Sequence, residues 1–118
     1  MCHELRTPYP LRVISQEQSG PAAARNSGLG EAIAPLIVFL DDDVVPDPQL
    51  IAVHLRAHLD DSSAVVIGPL LAPPGFALEP WTRWEAAMLA GQYRDIEMGK
   101  WEPTPRQFYT GNASVLRE

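Results

Sequence analysis

Short apolar runs alternate along the chain with segments of helical period, and this alternation predicts a sheet with helices on its faces. Four runs are short and rich in β-branched or aromatic side chains, as buried strands are; they cover residues 11–15, 36–40, 64–68 and 108–116. The last of these runs is interrupted by Gly111 and Asn112. Helical segments lie between the runs, at residues 21–34, 48–60 and 80–91. We therefore expect an α/β fold with a mixed, mainly parallel sheet.

The helix of residues 48–60 has the clearest signals. Asp47 is a suitable N-cap residue, and Pro48 fits the first turn. Three apolar residues fall on one stripe, which is expected to face the core: Ile51, Leu55 and Leu59. His54 and His58 share a helix face and could bind a metal together, but the Glu of a His-Glu-x-x-His motif is absent. A structural role for both histidines is the simpler prediction.

Three adjacent carboxylates, Asp41, Asp42 and Asp43, directly follow the apolar run of residues 36–40. In open α/β sheets, ligands bind beyond the carboxyl ends of the strands. Residues i and i+2 of an extended segment point the same way. Asp41 and Asp43 could therefore converge on Mg²⁺ or Mn²⁺, whose remaining ligands would be substrate phosphates. The alternative is a solvated turn, in which Asp is a common residue.

Length, charge and cysteine content narrow the class of protein. The chain has 118 residues, enough for one small domain. A net charge of -6 argues against a nucleic-acid partner, because phosphate backbones bind clustered Lys and Arg. Cys2 is the single cysteine, so an intrachain disulfide is excluded and the reducing cytoplasm is the expected compartment. No segment has the length of a membrane span, although a longer protein could still sit at the cytoplasmic face of a membrane.

Three segments together resemble the family 2 glycosyltransferases, which have the GT-A fold. Residues 20–29 (GPAAARNSGL) are similar to a loop and helix with an Ala-Arg-Asn core in that family. Residues 36–51 (LIVFLDDDVVPDPQLI) resemble the strand, the Asp-x-Asp-type motif and the Pro-x-x-Leu helix that follow it. Residues 110–118 (TGNASVLRE) resemble the segment with a Gly-Asn pair before the acceptor side. The resemblance covers roughly residues 11–118.

The resemblance implies transfer of a sugar from a nucleotide-diphosphate donor to an acceptor hydroxyl, with inversion and with Mg²⁺ or Mn²⁺ as cofactor. Asp43 would ligate the metal on the donor diphosphate, and Asp41 would contact the ribose or help to hold the metal. The acceptor would be a carbohydrate or a lipid-linked molecule. An arginine suits phosphate oxygens because its planar fork can hold two of them. Further substrate-binding residues are implied at Arg25, near the nucleotide or its phosphates, at Asp42, and at Gly111 and Asn112 in the donor-sugar pocket.

Two parts of the family pattern are missing from the sequence. The strands that hold the nucleotide base would precede residues 11–15, and the acidic general base would follow Glu118. Glu118 does not match the motif of that base, so the sequence assigns no catalytic residue. We expect residues 1–118 to form a single, partial GT-A domain and to be a fragment of a longer protein.

The helix of residues 80–91 carries Trp81, Trp84 and Met88 at positions i, i+3 and i+7. This spacing favours a core stripe, and Met88 is predicted to lie in the core. The two tryptophans have an alternative role, stacking on an acceptor sugar, because a Pro- and Gly-rich loop at residues 69–78 precedes them and suits the edge of a pocket.

Two other functions fit parts of the sequence. An apolar strand that runs into Asp-x-Asp also opens the haloacid-dehalogenase-like phosphatases, with Asp41 as nucleophile and Asp43 as general acid. That family needs a later lysine, and the only one here, Lys100, lies in a stretch rich in helix breakers. A non-catalytic fragment could instead form a homo-oligomer, because incomplete sheets leave unpaired edges that favour association.

Overall fold

The computed structural model describes residues 7–117, without the side chain of Pro105, and Cys2 and Glu118 lie outside the described residues. The chain divides into two compact units, Met1–Ala34 and Pro35–Glu118. The first contains helix α1 (Pro21–Glu31). The second contains, in chain order, β1 (Leu36–Leu40), α2 (Leu50–Asp60), β2 (Val66–Ile67), α3 (Pro80–Glu97), a 3₁₀ turn (Pro105–Gln107) and β3 (Asn112–Leu116). Within residues 7–117, no helix is both long enough and apolar enough to cross a bilayer.

In the first unit, the helix begins where the sequence predicts it. Pro21 occupies the first turn of α1, and Gly20 before it has a φ of 86°, which a side chain would strain. The strand predicted at residues 11–15 is wrong, because this segment has no strand conformation and no β partner. Arg12 instead forms an exposed ion pair with Glu31 of α1, with 2.6 Å between Nη1 and Oε2.

The sheet of the second unit has the strand order β1-β3-β2, with β3 antiparallel to both neighbours. The last strand of the sequence is therefore the central one. Ser114 pairs with Val38 on one side and Val66 on the other. Residues directly opposite each other in an antiparallel ladder share a face. These three side chains therefore lie on one face of the sheet, and Ala113 lies on the other.

The prediction of a mainly parallel sheet is wrong for the hydrogen-bonded pairs. The predicted order of strand, helix and strand is present in β1, α2 and β2. The two strands run in the same direction because each is antiparallel to β3. They are not neighbours, because β3 enters between them. Within the described chain the outer edges of β1 and β2 have no strand partner, and self-association through them stays a prediction.

Helix α2 packs on the sheet with the face next to the predicted one. The predicted stripe is exposed, with Ile51 at 57%, Leu55 at 46% and Leu59 at 79% of their maximal accessibility. The buried residues of α2 are His54 and His58. Both histidines meet polar side chains of β3, and these contacts determine which face of the helix turns toward the sheet.

Helix α3 is longer than predicted and ends at Glu97 rather than near Gly91. Its predicted core stripe is also exposed: Trp81 is 67%, Trp84 52% and Met88 55% accessible. The assignment of Met88 to the core is therefore wrong.

The face of the sheet opposite α2 is covered in part by Phe108, whose ring makes an edge-on contact with Phe39 at 6.2 Å between centroids.

Candidate functional site

The predicted site residues of the second unit meet at one edge of the sheet, where β1 ends and β3 begins. Leu40 pairs with Asn112 at the end of the ladder. One residue further on, the Asp41 N–H donates to the Gly111 carbonyl at 3.3 Å. The Gly111 backbone thus lies beside the Asp41 carboxylate: a Cβ at position 111 would come 3.0 Å from Asp41 Oδ2 and 3.1 Å from Leu70 Cδ1. Antiparallel pairing brings these residues together although 70 positions separate them in sequence.

The acidic motif forms a turn rather than an extended segment. Asp41 is half-buried, and Asp42 and Asp43 occupy the exposed turn that follows it. The Val44 N–H donates to the Asp41 carbonyl at 3.3 Å and closes this turn. The i, i+2 alternation expected for Asp41 and Asp43 therefore does not apply. Asp41 lies against the sheet, and the other two carboxylates face solvent.

The end of β2 supports the same edge of the sheet. The Gly68 N–H donates to the Asn112 carbonyl at 2.9 Å, and Asn112 Nδ2 donates to the Pro69 carbonyl at 3.3 Å. The N–H of Leu70, which follows Pro69, donates to the Tyr93 hydroxyl of α3 at 3.1 Å. Strands β2 and β3 and helix α3 thus all attach to the segment that faces Asp41 and Gly111.

A buried polar cluster lies directly under this edge of the sheet. His54 Nε2 is 2.9 Å from Asn112 Oδ1, and His54 Nδ1 is 2.7 Å from Ser114 Oγ. His58 Nε2 is 2.8 Å from the same Ser114 oxygen. All four residues are buried, Ser114 completely. The structural role predicted for the two histidines agrees with this burial.

Helix α2 reaches this position because its start is anchored next to the acidic turn. Asp47 Oδ1 accepts a hydrogen bond from the Gln49 N–H at 2.8 Å, and the Leu50 N–H donates to the Asp47 carbonyl at 2.9 Å. The predicted N-cap role of Asp47 is wrong, because Gln49 is the N-cap and the first helical residue is Leu50 rather than Pro48. Asp47 instead holds the turn that precedes the helix.

The remaining predicted residues lie on helices. Arg25 is a partly exposed residue of α1, in the first unit. Trp81 and Trp84 form an exposed aromatic pair on α3, with ring centroids 5.0 Å apart and planes inclined by 31°. The exposed pair offers flat apolar surface to solvent, which is the requirement for stacking on a sugar ring rather than for a core stripe.

A hard cation at the acidic turn would need ligands from water or substrate as well as from the protein. Across residues 7–117 no three His, Cys, Asp or Glu side chains are grouped to hold a metal ion by themselves. Mg²⁺ and Mn²⁺ sites built on one or two carboxylates take their other ligands from water and substrate phosphates. The side of Asp41 that faces Gly111 is already filled, because a Cβ at position 111 would come 3.0 Å from Asp41 Oδ2 and 3.1 Å from Leu70 Cδ1, so such ligands would approach from the solvent side of the turn.

A family model decides between the two enzyme classes, glycosyltransferase and phosphatase, that the three aspartates left open. The model described as "Glycosyl transferase family 2" matches residues 1–118. The chain belongs to glycosyl transferase family 2. The members of this family are glycosyl transferases, so membership favours glycosyl transfer over the phosphatase alternative. It also implies the α/β architecture of the family, of which the described sheet contains three strands.

Curated relatives agree with the glycosyl transferase family 2 assignment. The chain is 34% identical over 67 residues to "Pre-mycofactocin glycosyltransferase" of Mycobacterium tuberculosis, in strain CDC 1551 / Oshkosh and in strain ATCC 25618 / H37Rv. The match covers 57% of this chain and 14% of either relative. The chain therefore spans only a small part of the length of the relatives it matches. No solved structure matches the chain significantly.

Sequence reasoning missed three contributors to the site of this glycosyl transferase family 2 chain: Gly68, Ser114 and Tyr93. Gly68 had a signal, since a glycine at the end of a strand often allows close approach of another group. Ser114 sits in a short apolar run and is central only because β3 lies between two strands. Tyr93 contacts the site through the fold of α3, which no local pattern encodes.

Proposed function

We propose that this chain provides the diphosphate-binding part of an inverting, metal-dependent glycosyltransferase that uses a nucleotide-diphosphate sugar. The observation that carries the proposal is the approach of Asp41 and Gly111 across the end of the β1–β3 ladder, within a chain that belongs to glycosyl transferase family 2. The first part of the proposal concerns the donor, and the second concerns the metal.

In this proposal the donor lies along the end of the sheet. Because Gly111 lacks a side chain, the Asp41 carboxylate can lie directly against the backbone there, and the donor would approach this carboxylate from the solvent side of the turn. The Asp41 carboxylate, held at the end of β1 by its backbone hydrogen bond, accepts hydrogen bonds from ribose hydroxyls or ligates the metal. Asp42 and Asp43 lie on the solvent side of the turn, where the diphosphate enters.

Asp43, with Asp41, would hold Mg²⁺ or Mn²⁺ in this site. When bound, the metal supplies positive charge to the diphosphate and makes it a better leaving group. The carboxylates themselves contribute a fixed position and a negative charge that attracts the cation to this turn. We propose that Arg25 binds the nucleotide or its phosphates, because a guanidinium can donate two parallel hydrogen bonds to phosphate oxygens.

We further propose that the sugar is transferred by direct displacement, so that the acceptor hydroxyl attacks the anomeric carbon from the side opposite the diphosphate. The exposed Trp81–Trp84 pair is suited to an acceptor with a sugar ring, whether free or lipid-linked. Among residues 7–117 we assign no general base.

The test is titration of the purified chain with UDP, GDP and dTDP, with and without Mn²⁺, by isothermal calorimetry. We expect one nucleoside diphosphate to bind in a Mn²⁺-dependent manner. The Asp43→Asn variant should lose at least about tenfold in affinity, since it removes a charged metal ligand while keeping the size of the side chain.

Asp60→Asn is the matched control, because Asp60 is an exposed carboxylate at the far end of α2. It should bind the nucleotide as tightly as the unmodified chain. Binding that is equally tight without Mn²⁺, or that survives Asp43→Asn unchanged, would overturn the metal site. The donor assignment itself fails if none of the nucleotides binds.

A further inference from the structure

The hydrogen-bond directions in the buried cluster follow from one carbonyl group. The Pro69 carbonyl can only accept, so the Asn112 side-chain atom 3.3 Å away must be the amide nitrogen. The Asn112 oxygen then faces His54 Nε2 at 2.9 Å. Because this oxygen can only accept, His54 Nε2 must carry the proton.

The same reasoning continues through the serine. In a neutral imidazole with a proton on Nε2, the Nδ1 atom is an acceptor. The Ser114 hydroxyl therefore donates its single proton to His54 Nδ1 at 2.7 Å. The Ser114 oxygen is left as an acceptor, and His58 Nε2–H donates to it at 2.8 Å. The chain of donors runs from His58 through Ser114 and His54 to Asn112.

The series of hydrogen bonds begins at the Nδ1 atom of His58. His58 Nδ1 is buried and has no hydrogen-bond partner in the described part of the chain. In the order just derived, this atom is a bare acceptor. The reverse order would pair the contacts inside the cluster equally well, but it would leave the Pro69 carbonyl facing the Asn112 oxygen at 3.3 Å and would place an unpaired N–H donor at His58 Nδ1. One unpaired acceptor is the smaller cost.

Both polar atoms of the Asn112 side chain are thus engaged by the protein. The residue is 8% accessible. Its amide also lies so close to β2 that a Cβ on Gly68 would come 2.2 Å from Asn112 Nδ2. The amide is held between Gly68, the Pro69 carbonyl and His54, and it joins the start of β3 to the end of β2.

We infer that Asn112 acts as a positioning residue and not as a direct contact to the donor sugar. The His58–Ser114–His54 chain fixes the orientation of the Asn112 amide, and this in turn holds Gly111, its chain neighbour, against Asp41. The inference rests on the proposed function, because it assigns a role in binding the diphosphate. It predicts that substitutions that break the hydrogen bonds among His58, Ser114, His54 and Asn112 weaken binding of the diphosphate itself, with or without an attached sugar.

A pair of ligands separates positioning from direct contact. We would measure Mn²⁺-dependent binding of UDP against UDP-glucose, and of GDP against GDP-mannose, to the Asn112→Ala and Ser114→Ala variants. Positioning predicts a loss of about three- to tenfold for both variants, equal for the nucleotide and its sugar, as expected for one net hydrogen bond. Ser63→Ala, which removes an exposed serine hydrogen bond to Asp61, should leave binding unchanged.

Nuclear magnetic resonance of the imidazole nitrogens tests the chain of donors in the unmodified protein. We expect His54 and His58 both to carry a proton on Nε2 and none on Nδ1. This measurement does not require a ligand. Ser114→Cys gives a second variant of nearly equal size and weak donor strength if Ser114→Ala does not fold, and it should weaken binding in the same way.

The outcomes distinguish the inference from the function it rests on. Binding that is lost only for the nucleotide sugar in Asn112→Ala would identify a direct sugar contact and overturn the inference. Unchanged affinity in a folded Ser114→Ala variant would also overturn it, and the donor site would stand. A proton on Nδ1 of His54 contradicts the derived chain directly. Absence of nucleotide binding to the unmodified chain refutes the proposed function and, with it, the role assigned to Asn112.

Discussion

Asp41 and Gly111 lie opposite each other at the end of the β1–β3 ladder, where the Asp41 N–H donates to the Gly111 carbonyl. The Asp41 carboxylate lies close to the position that a Cβ of residue 111 would occupy. The φ angle of Gly111 lies outside the left-handed region, so its backbone would accept other residues. The glycine is required here for space beside the carboxylate rather than for backbone freedom.

This relationship predicts the effect of Gly111→Ala. The added methyl group would come 3.0 Å from Asp41 Oδ2 and 3.1 Å from Leu70, and Leu70 is held through its N–H by Tyr93. The carboxylate should therefore move, and Mn²⁺-dependent binding of a nucleoside diphosphate should weaken by about tenfold or more, measured by calorimetry. Gly91→Ala is the control, since its Cβ would meet only the Arg94 side chain at 3.8 Å. Equal affinity in the two variants would show that the Asp41–Gly111 contact does not form part of the site.

A second substitution tests how tightly the Asn112 amide is held. Gly68→Ala would place a methyl group 2.2 Å from Asn112 Nδ2, and overpacking of this kind typically costs about 1–3 kcal/mol. Chemical denaturation should show this loss. In the double variant with Asn112→Ala the clash is removed, so the two costs should not add. Additive costs would mean that the amide moves away freely.

The packing of α2 through its histidine face leads to a third prediction. Leu59→Ala should change the free energy of unfolding by no more than about 0.5 kcal/mol, because Leu59 is 79% accessible. His58→Ala should cost about 2–4 kcal/mol, since it leaves a cavity under the sheet and removes a partner of Ser114. Denaturant titrations of the two variants give the comparison. A larger loss for Leu59→Ala would favour the apolar stripe as the packed face.

The turn after α2 has its own dependence on pH. The Ser63 hydroxyl and backbone N–H both donate to Asp61, and they lower the pKa of this carboxyl below its usual 3.8. A lowered pKa in the folded state means that the interaction stabilises the fold above pH 3.8 and is lost as the pH falls through the folded pKa. The effect is small because Asp61 is fully exposed.

Ser63→Ala should therefore raise the pKa of Asp61 toward its usual value. Titration of the Asp61 carboxyl carbon by nuclear magnetic resonance measures this directly. The stability difference between the two proteins should be largest near neutral pH and should shrink in acid. A pKa that stays low in Ser63→Ala would assign the shift to the backbone N–H groups of residues 63 and 64.

Much of the local structure is predictable because its causes are local. Pro21 fixes the start of α1, and the apolar run of residues 36–40 forms β1 with the predicted bounds. The predicted strand at residues 11–15 failed because a strand requires a partner, and the pattern of a single segment contains no information about one.

The sequence by itself determined the family, the strand that ends in three carboxylates and the helix that follows it. Only the tertiary structure decided that β3 lies between β1 and β2, and the consequences follow from this order. It sets Gly111 against Asp41, and it turns the histidine face of α2 toward Ser114 although the apolar pattern favours the neighbouring face. The physical reason is that Ser114 and Asn112 would be buried without partners if hydrophobic residues covered them, and two imidazoles satisfy both.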